Sequence, residues 1–298
     1  MKIGLQVIRF DWPGSPQNTG KKLREIAEAA DKAGFSSLWV MDHLFQIDMA
    51  EMGLAPNDPM LEAYTALGYL APLTSRVRLG VMVTSALYRH PGYLIKTVTT
   101  LDVLSGGRAN LGIGAAWYER EAQGLGLPFP PLKERMERLE ETLAIAKLMW
   151  SGEVKPYNGK HYQLAEPINN PLPLSKPHPP ILVGGMGEKK TLRLVARYAD
   201  ACNLFGPPLG GIDEIAKKLD VLRHHCDEIG RPYDEIERTA LGVVNVGKGG
   251  AAPSDLIAQC RGLAGIGIQH FIFSMPDTHE ITPIEVIGRE VIPAVAGI

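Results

Sequence analysis

Apolar positions along this chain follow two alternating rhythms. Short, nearly unbroken apolar runs fall at Lys2–Ile8, Ser37–Met41, Val77–Val83, Ala109–Ile113, Pro180–Val183, Ala201–Phe205, Thr239–Val246 and Gln269–Ser274. Their shortness and lack of polar alternation fit strands buried on both faces, as in parallel sheets. Between them, apolar residues return every three or four positions, which predicts amphipathic helices at Thr19–Ala33, Met60–Leu73, Gly92–Leu104, Lys133–Trp150, Glu188–Tyr198, Ile212–Ile229, Ala252–Leu263 and Thr282–Val295. In the third of these, Ile95, Val98, Leu101 and Leu104 form the stripe. Pro91 suits a first turn that needs no N–H, and Ser105-Gly106-Gly107 stops the helix. Strands that alternate with helices in this way predict an α/β fold, a single (β/α)8 barrel spanning residues 1–298.

Two segments exceed a minimal barrel. Trp117 to Pro131 is rich in Gly and Pro, and 151–179 is a long insertion before the fifth strand. The insertion carries Asn158-Gly159 between two β-prone pieces, a hairpin signal, then a proline-rich stretch that favours an extended path. Either a surface excursion or a lid over the barrel mouth fits it. A net charge of -2 gives no reason to expect nucleic acid or an anionic membrane as partner. No apolar run reaches membrane-span length. Cys202, Cys226 and Cys260 stand in no metal spacing and suit reduced thiols, so a cytoplasmic protein without a bound metal is expected.

In a barrel of this kind, chemistry sits at the carboxyl ends of the strands. Asp42 and His43 end the second predicted strand, and a histidine there can hold or release a proton near neutral pH. Its bland reading is a helix cap or a satisfied surface histidine. Met82, Val83 and Thr84 end the third strand, where the residues alone say only that a buried strand meets a loop. The fourth strand exits through Gly114, Ala115 and Ala116 to Trp117 and Tyr118, almost free of side chains, so a flat or anionic group can lie on its backbone. That segment lacks the GxGxxG spacing of a dinucleotide-binding turn. Trp117 either stacks on a ligand or fills a gap. Gly184, Gly185, Met186 and Gly187 precede a predicted helix with Lys189 and Lys190 beside them, a chemically sensible phosphate cradle or a plain tight turn. Asn203 lies near the end of the sixth strand.

Trp39-Val40-Met41-Asp42-His43, Val83-Thr84 with Arg89-His90-Pro91, Leu104-Ser105-Gly106-Gly107-Arg108, and ILVGGMGEKKTLRLVARYADACN occur in that order. Together they resemble the luciferase-like flavin and deazaflavin oxidoreductases over essentially the whole chain. More narrowly, they are similar to the branch that uses coenzyme F420, a deazaflavin hydride carrier. The resemblance implies that Asp42 and His43 lie against the cofactor ring, with Asp42 bonding the ring or orienting His43. It implies a cis Met82–Val83 peptide behind the ring, Gly114 to Trp117 along the ring and ribityl chain, Gly184 to Gly187 at the phosphate, and Asn203 reaching the cofactor from the side. It also implies a homodimer acting on a small-molecule substrate. Some sugar-phosphate dehydrogenases of this branch carry a glutamate where Trp117 stands, so an apolar or aromatic substrate stacked on Trp117 and Tyr118 is expected instead. The alternatives are an FMN-dependent monooxygenase and a barrel that binds such a cofactor without turnover.

Overall fold

The computed structural model describes residues 1–246 and 249–298. Its barrel strands are β1 (Lys2–Val7), β2 (Ser37–Val40), β3 (Arg78–Val81), β4 (Ala109–Gly114), β5 (Ile181–Gly184), β6 (Ala201–Phe205), β7 (Glu237–Val243) and β8 (His270–Ser274). They pair in parallel in the order β3-β2-β1-β8-β7-β6-β5-β4, and β3 pairs with β4 to close the ring. This is the closed eight-stranded (β/α)8 barrel that the alternating rhythms predict. β3 stops at Val81, Met82–Val83 is cis as the resemblance implies, and Thr84–Ser85 resumes pairing with Ile113 and Gly114 of β4.

The surrounding helices are α1 (Thr19–Ala33), α2 (Ala63–Leu70), α3 (Pro91–Leu104), α4 (Glu119–Gly124), α5 (Leu132–Ser151), α6 (Thr191–Tyr198), α7 (Ile212–Ile229) and α8 (Pro253–Gly265). Four departures from the periodicity have local causes. Glu62 caps α2 by accepting the Tyr64 and Thr65 N–H groups, which starts it after Met60 and Leu61. α6 begins at Thr191 rather than Glu188. The Glu188 side chain bonds Lys218 and its carbonyl accepts from His225, both on α7. The six-residue α4 lies inside the Gly- and Pro-rich loop and is too short to show a period. The stretch 282–295 is a broken helix with a π-type turn at Ile287–Val291. Pro293 lacks the N–H a regular helix would use there, and Gly288 lies where a Cβ would come within 2.8 Å of the Ala33 carbonyl.

The insertion packs against α3, α5 and the loop after Thr84–Ser85, where Tyr162 bonds the Ala86 carbonyl and packs on His90. Tyr157–Asn158 pairs antiparallel with Gln163–Leu164, so the hairpin forms, but its turn spans residues 159–162 rather than Asn158-Gly159 alone. The Glu141 carboxylate on α5 accepts from the Lys160, His161 and Tyr162 N–H groups and clamps that turn. Farther on, Asn169 bonds Thr99 and Ser175 bonds Asp102, both on α3. The segment is a strap along α3 and α5.

Between strands and helices lies one large apolar layer, while Trp39, Met82, Leu182, Ala201 and Ile272 fill the barrel interior. Its amino-terminal end is plugged by polar contacts. Ser37 Oγ accepts from Trp39 Nε1 (2.7 Å) and meets His270 Nε2 (3.0 Å), and Lys2 pairs with Glu237 (2.8 Å). Binding is left to the carboxyl ends. No helix among the described residues is long and apolar enough to cross a membrane.

Candidate active site

His43 sits just past β2 with a side chain only 12% exposed. Its Nδ1 lies 3.0 Å from Oε2 of Glu121, a fully buried carboxylate on α4. The other oxygen of Glu121 accepts from the Leu44 and Phe45 N–H groups, and Tyr88 Oη donates to Oε2 at 2.5 Å. Burial opposes ionisation of Glu121, but the bonds from His43, Tyr88 and Leu44 outweigh it and hold the carboxyl below its ordinary range. Burial, and then the bond to this carboxylate, push the Tyr88 phenol far above its ordinary value, so it serves as a donor. Nε2 of His43 has no hydrogen-bond partner among the described residues.

Asp42 is committed elsewhere. Its carboxylate takes a bidentate bond from Arg89 (2.8 and 2.9 Å) and the Ser85 N–H (2.9 Å), so it does not orient His43, and Glu121 does. Arg89 also bonds Glu62 at 2.5 Å and lies over the Tyr64 ring, whose hydroxyl meets Thr84 Oγ1 at 2.7 Å. Desolvation works against the Arg89 charge, and the Asp42 bond more than restores it. This buried ion pair fixes the loop after Thr84 to the end of β2.

The strand exits of β4 and β5 meet over Val83. A Cβ on Gly114 or on Gly184 would come within 2.9 Å of the Val83 side chain, so both positions need glycine. The gap left by missing side chains is thus partly filled from within. Past Gly114, Ala116 takes a left-handed φ of 61°, and Arg135 of α5 grips the Ala115 and Ala116 carbonyls at 3.2 and 2.5 Å. That turn delivers Trp117 to the surface, 61% exposed rather than filling a gap. Trp117 and Tyr118 stand edge-on to the His43 ring at 5.7 and 5.8 Å, and Tyr118 packs on Phe45 at 6.0 Å. An imidazole therefore faces an aromatic wall.

On the far side of Val83, Gly185 has φ 125° and donates its N–H to the Asn203 carbonyl at 3.1 Å. The Asn203 side chain is buried and donates to Thr239 (2.8 Å). Because α6 starts late, Met186 to Lys190 form an irregular turn between Gly184 and the helix rather than a helix N-terminus. A cleft of about 510 Å³ lies beside the site, lined by residues that include Leu44, Tyr88, Arg89, Tyr93 and Leu127. Among the described residues there is no cluster of three or more His, Cys, Asp or Glu able to hold a metal.

Sequence reasoning found His43 and the strand exits but missed Glu121, Tyr88, Arg89 and Glu62. Glu121 stands in Tyr118-Glu119-Arg120-Glu121, which reads as a solvated face. The one available signal was Ala122 beside it, an apolar neighbour that marks the buried side of the turn.

Known proteins place this geometry in context. Over 234 residues the chain is 34% identical to an F420-dependent glucose-6-phosphate dehydrogenase from Microbacterium testaceum. That match covers 77% of this chain and 66% of the relative, just under two thirds of its length. It is 28% identical to the oxygenase component of a flavin-dependent trigonelline monooxygenase from Acinetobacter baylyi, over 76% of this chain and 59% of that one. The coenzyme F420-dependent tetrahydromethanopterin reductase from Methanopyrus kandleri shares the fold, with a TM-score of 0.80, 18% identity and 98% of both chains covered. The luciferase-like monooxygenase family profile matches residues 1–279, and with a closed barrel whose strand ends gather His43, Val83 and the bare exits of β4 and β5, this chain belongs to that family.

Proposed function

We propose that the protein is an F420-dependent oxidoreductase that transfers a hydride between the deazaflavin and a small, apolar or aromatic organic substrate. The observation that carries this reading is His43, held by a buried carboxylate beside an open strand-end surface with an aromatic wall. The residues present fit a flat, phosphorylated cofactor. Gly114, Ala115, Ala116, Gly184 and Gly185 keep the strand exits low, and Val83 with Met82 would back the ring. Met186, Gly187 and the exposed Lys189 and Lys190 offer N–H groups and positive charge to a phosphate. Gly185 contributes by its backbone shape, since its own N–H is bonded to Asn203. When bound, the deazaflavin supplies hydride exchange at C5, and the protein supplies position and electrostatics.

His43 would manage the single proton that accompanies hydride movement, through its unbonded Nε2. Trp117 and Tyr118 would receive the substrate, and with no acid in the Trp117 position a sugar phosphate is not the expected partner. Asp42 and Thr84, locked by Arg89 and Tyr64, would shape the ring's surroundings rather than move protons. Asn203 would bound the cofactor from β6. A homodimer, implied by the family resemblance, belongs to the same proposal. The flavin-dependent relative supports a second reading, an FMN-dependent monooxygenase. Titrating the protein with F420 and with FMN while following tryptophan fluorescence separates the two. F420 should quench saturably, and preferential FMN binding would favour the second reading.

A further inference from the structure

We propose that Glu121 is the positioning residue for His43, fixing its ring orientation and its tautomer so that Nε2 is the proton-exchanging nitrogen. The inference rests on the oxidoreductase reading for its purpose but on geometry for its content. A carboxylate can only accept. Oε1 of Glu121 receives the Leu44 and Phe45 N–H groups, and Oε2 receives the Tyr88 hydroxyl and faces His43 Nδ1 at 3.0 Å. Nδ1 must therefore carry a hydrogen, which leaves the lone pair of neutral His43 on Nε2. The carboxylate of the adjacent Asp42 is bonded to Arg89 and does not compete for the imidazole. Trp117 and Tyr118 approach it only edge-on.

One short stretch supplies both halves of the arrangement. Trp117 and Tyr118 pack edge-on against the imidazole, and Glu121, at the first turn of α4, meets its Nδ1. A neutral His43 in this tautomer accepts a proton at Nε2, the act required when a substrate hydroxyl is oxidised. With the deazaflavin bound as hydride acceptor, the hydroxyl proton would move to Nε2 as the substrate C–H pair left as hydride and the C=O bond formed.

The substitution Glu121→Gln makes the test sharp. The amide oxygen stays where Leu44 and Phe45 donate, so the NH2 group takes the Oε2 position and donates to Nδ1. The tautomer must invert, placing the hydrogen on Nε2. Nitrogen-15 NMR of ligand-free protein with labelled histidine reads this directly, with the His43 signals assigned by their loss in His43→Ala. The expected result is Nδ1–H in the wild type and Nε2–H in Glu121→Gln. A wild type protonated on Nε2, or the same tautomer in both proteins, overturns the proposal. Should Glu121→Gln fail to fold, the wild-type spectrum alone still decides. F420 titration of the same wild-type sample separates the two levels. No F420 binding with the tautomer as expected sinks the cofactor reading alone, whereas F420 binding with the wrong tautomer sinks the role of Glu121 alone.

Discussion

At the scale of residues, the proposed site divides into a group that would exchange a proton, His43, and groups that hold it in place. His43→Ala is expected to retain F420 binding and lose about 100-fold or more in turnover, the range for a general acid or base. Absorbance-followed F420 reduction across a panel of neutral alcohols would measure it, and normal turnover would reduce His43 to a packing residue. Trp117 gives a different signature. It is 61% exposed, so Trp117→Ala should change stability by no more than about 0.5 kcal/mol. The same variant should raise KM for apolar substrates with F420 affinity preserved, and an unaltered KM would remove Trp117 from the substrate wall. His43 was legible in the sequence because its place at a strand end follows from periodicity. Glu121 was not, because polarity marks a side chain as charged without saying which way it points. A buried carboxylate is tolerated here only because four donors surround it, and those donors come from two separate stretches of the chain, 43–45 and Tyr88. No local pattern encodes that meeting. For the same reason, the adjacency of Asp42 and His43 suggested a pair, while Arg89, 47 positions away, takes the aspartate.

At the scale of elements, strand and helix existence was readable, and boundaries shifted wherever a tertiary contact outbid the local period. Glu188 has the composition of a helical residue but is drawn to α7, which leaves the turn from Gly184 to Lys190 irregular. In the proposed binding mode that turn holds the cofactor phosphate. Gly185 has φ 125° and Thr191 lies 3.3 Å from where its Cβ would be, so Gly185→Asp adds both backbone strain and a negative charge near the proposed phosphate. F420 affinity should fall at least tenfold, roughly 1.4 kcal/mol, in a fluorescence titration. A thermal melt of the same variant separates strain from charge, and undiminished affinity in a folded protein would make the turn merely structural. The hairpin signal at Asn158-Gly159 was sound, but its destination was not legible. Three consecutive N–H groups pinned by Glu141 tie it to α5, with Tyr162 reaching the Ala86 carbonyl.

At the scale of the whole molecule, the barrel separates two functions between its ends. The amino-terminal plug carries stability, and the carboxyl ends carry the proposed site. Glu237 in the plug is a titratable part of that stability. Burial opposes its charge, but neighbouring His270 and Lys2 outweigh this and bring the carboxyl down to about 2. A depressed carboxylate stabilises the fold above its unfolded value of about 4.3 and loses that contribution as pH falls toward 2. The contribution at neutral pH is on the order of 3 kcal/mol. Glu237→Gln should therefore lower the melting temperature at pH 7 and flatten its decline between about pH 4.5 and 2, whereas an unchanged melting profile would remove the plug from the stability of the barrel. Closure into a ring was legible because the strand and helix rhythms recur along the chain, and the family followed from motifs in order. The choice between a deazaflavin and a flavin was not, since both are flat ring systems of the same shape and low strand exits suit either. Equilibrium titration of the purified protein with F420 and with FMN, followed by tryptophan quenching, tests the central claim most directly. Saturable F420 binding at concentrations where FMN leaves the fluorescence unchanged is the expected result, and tight FMN binding with no response to F420 would contradict it.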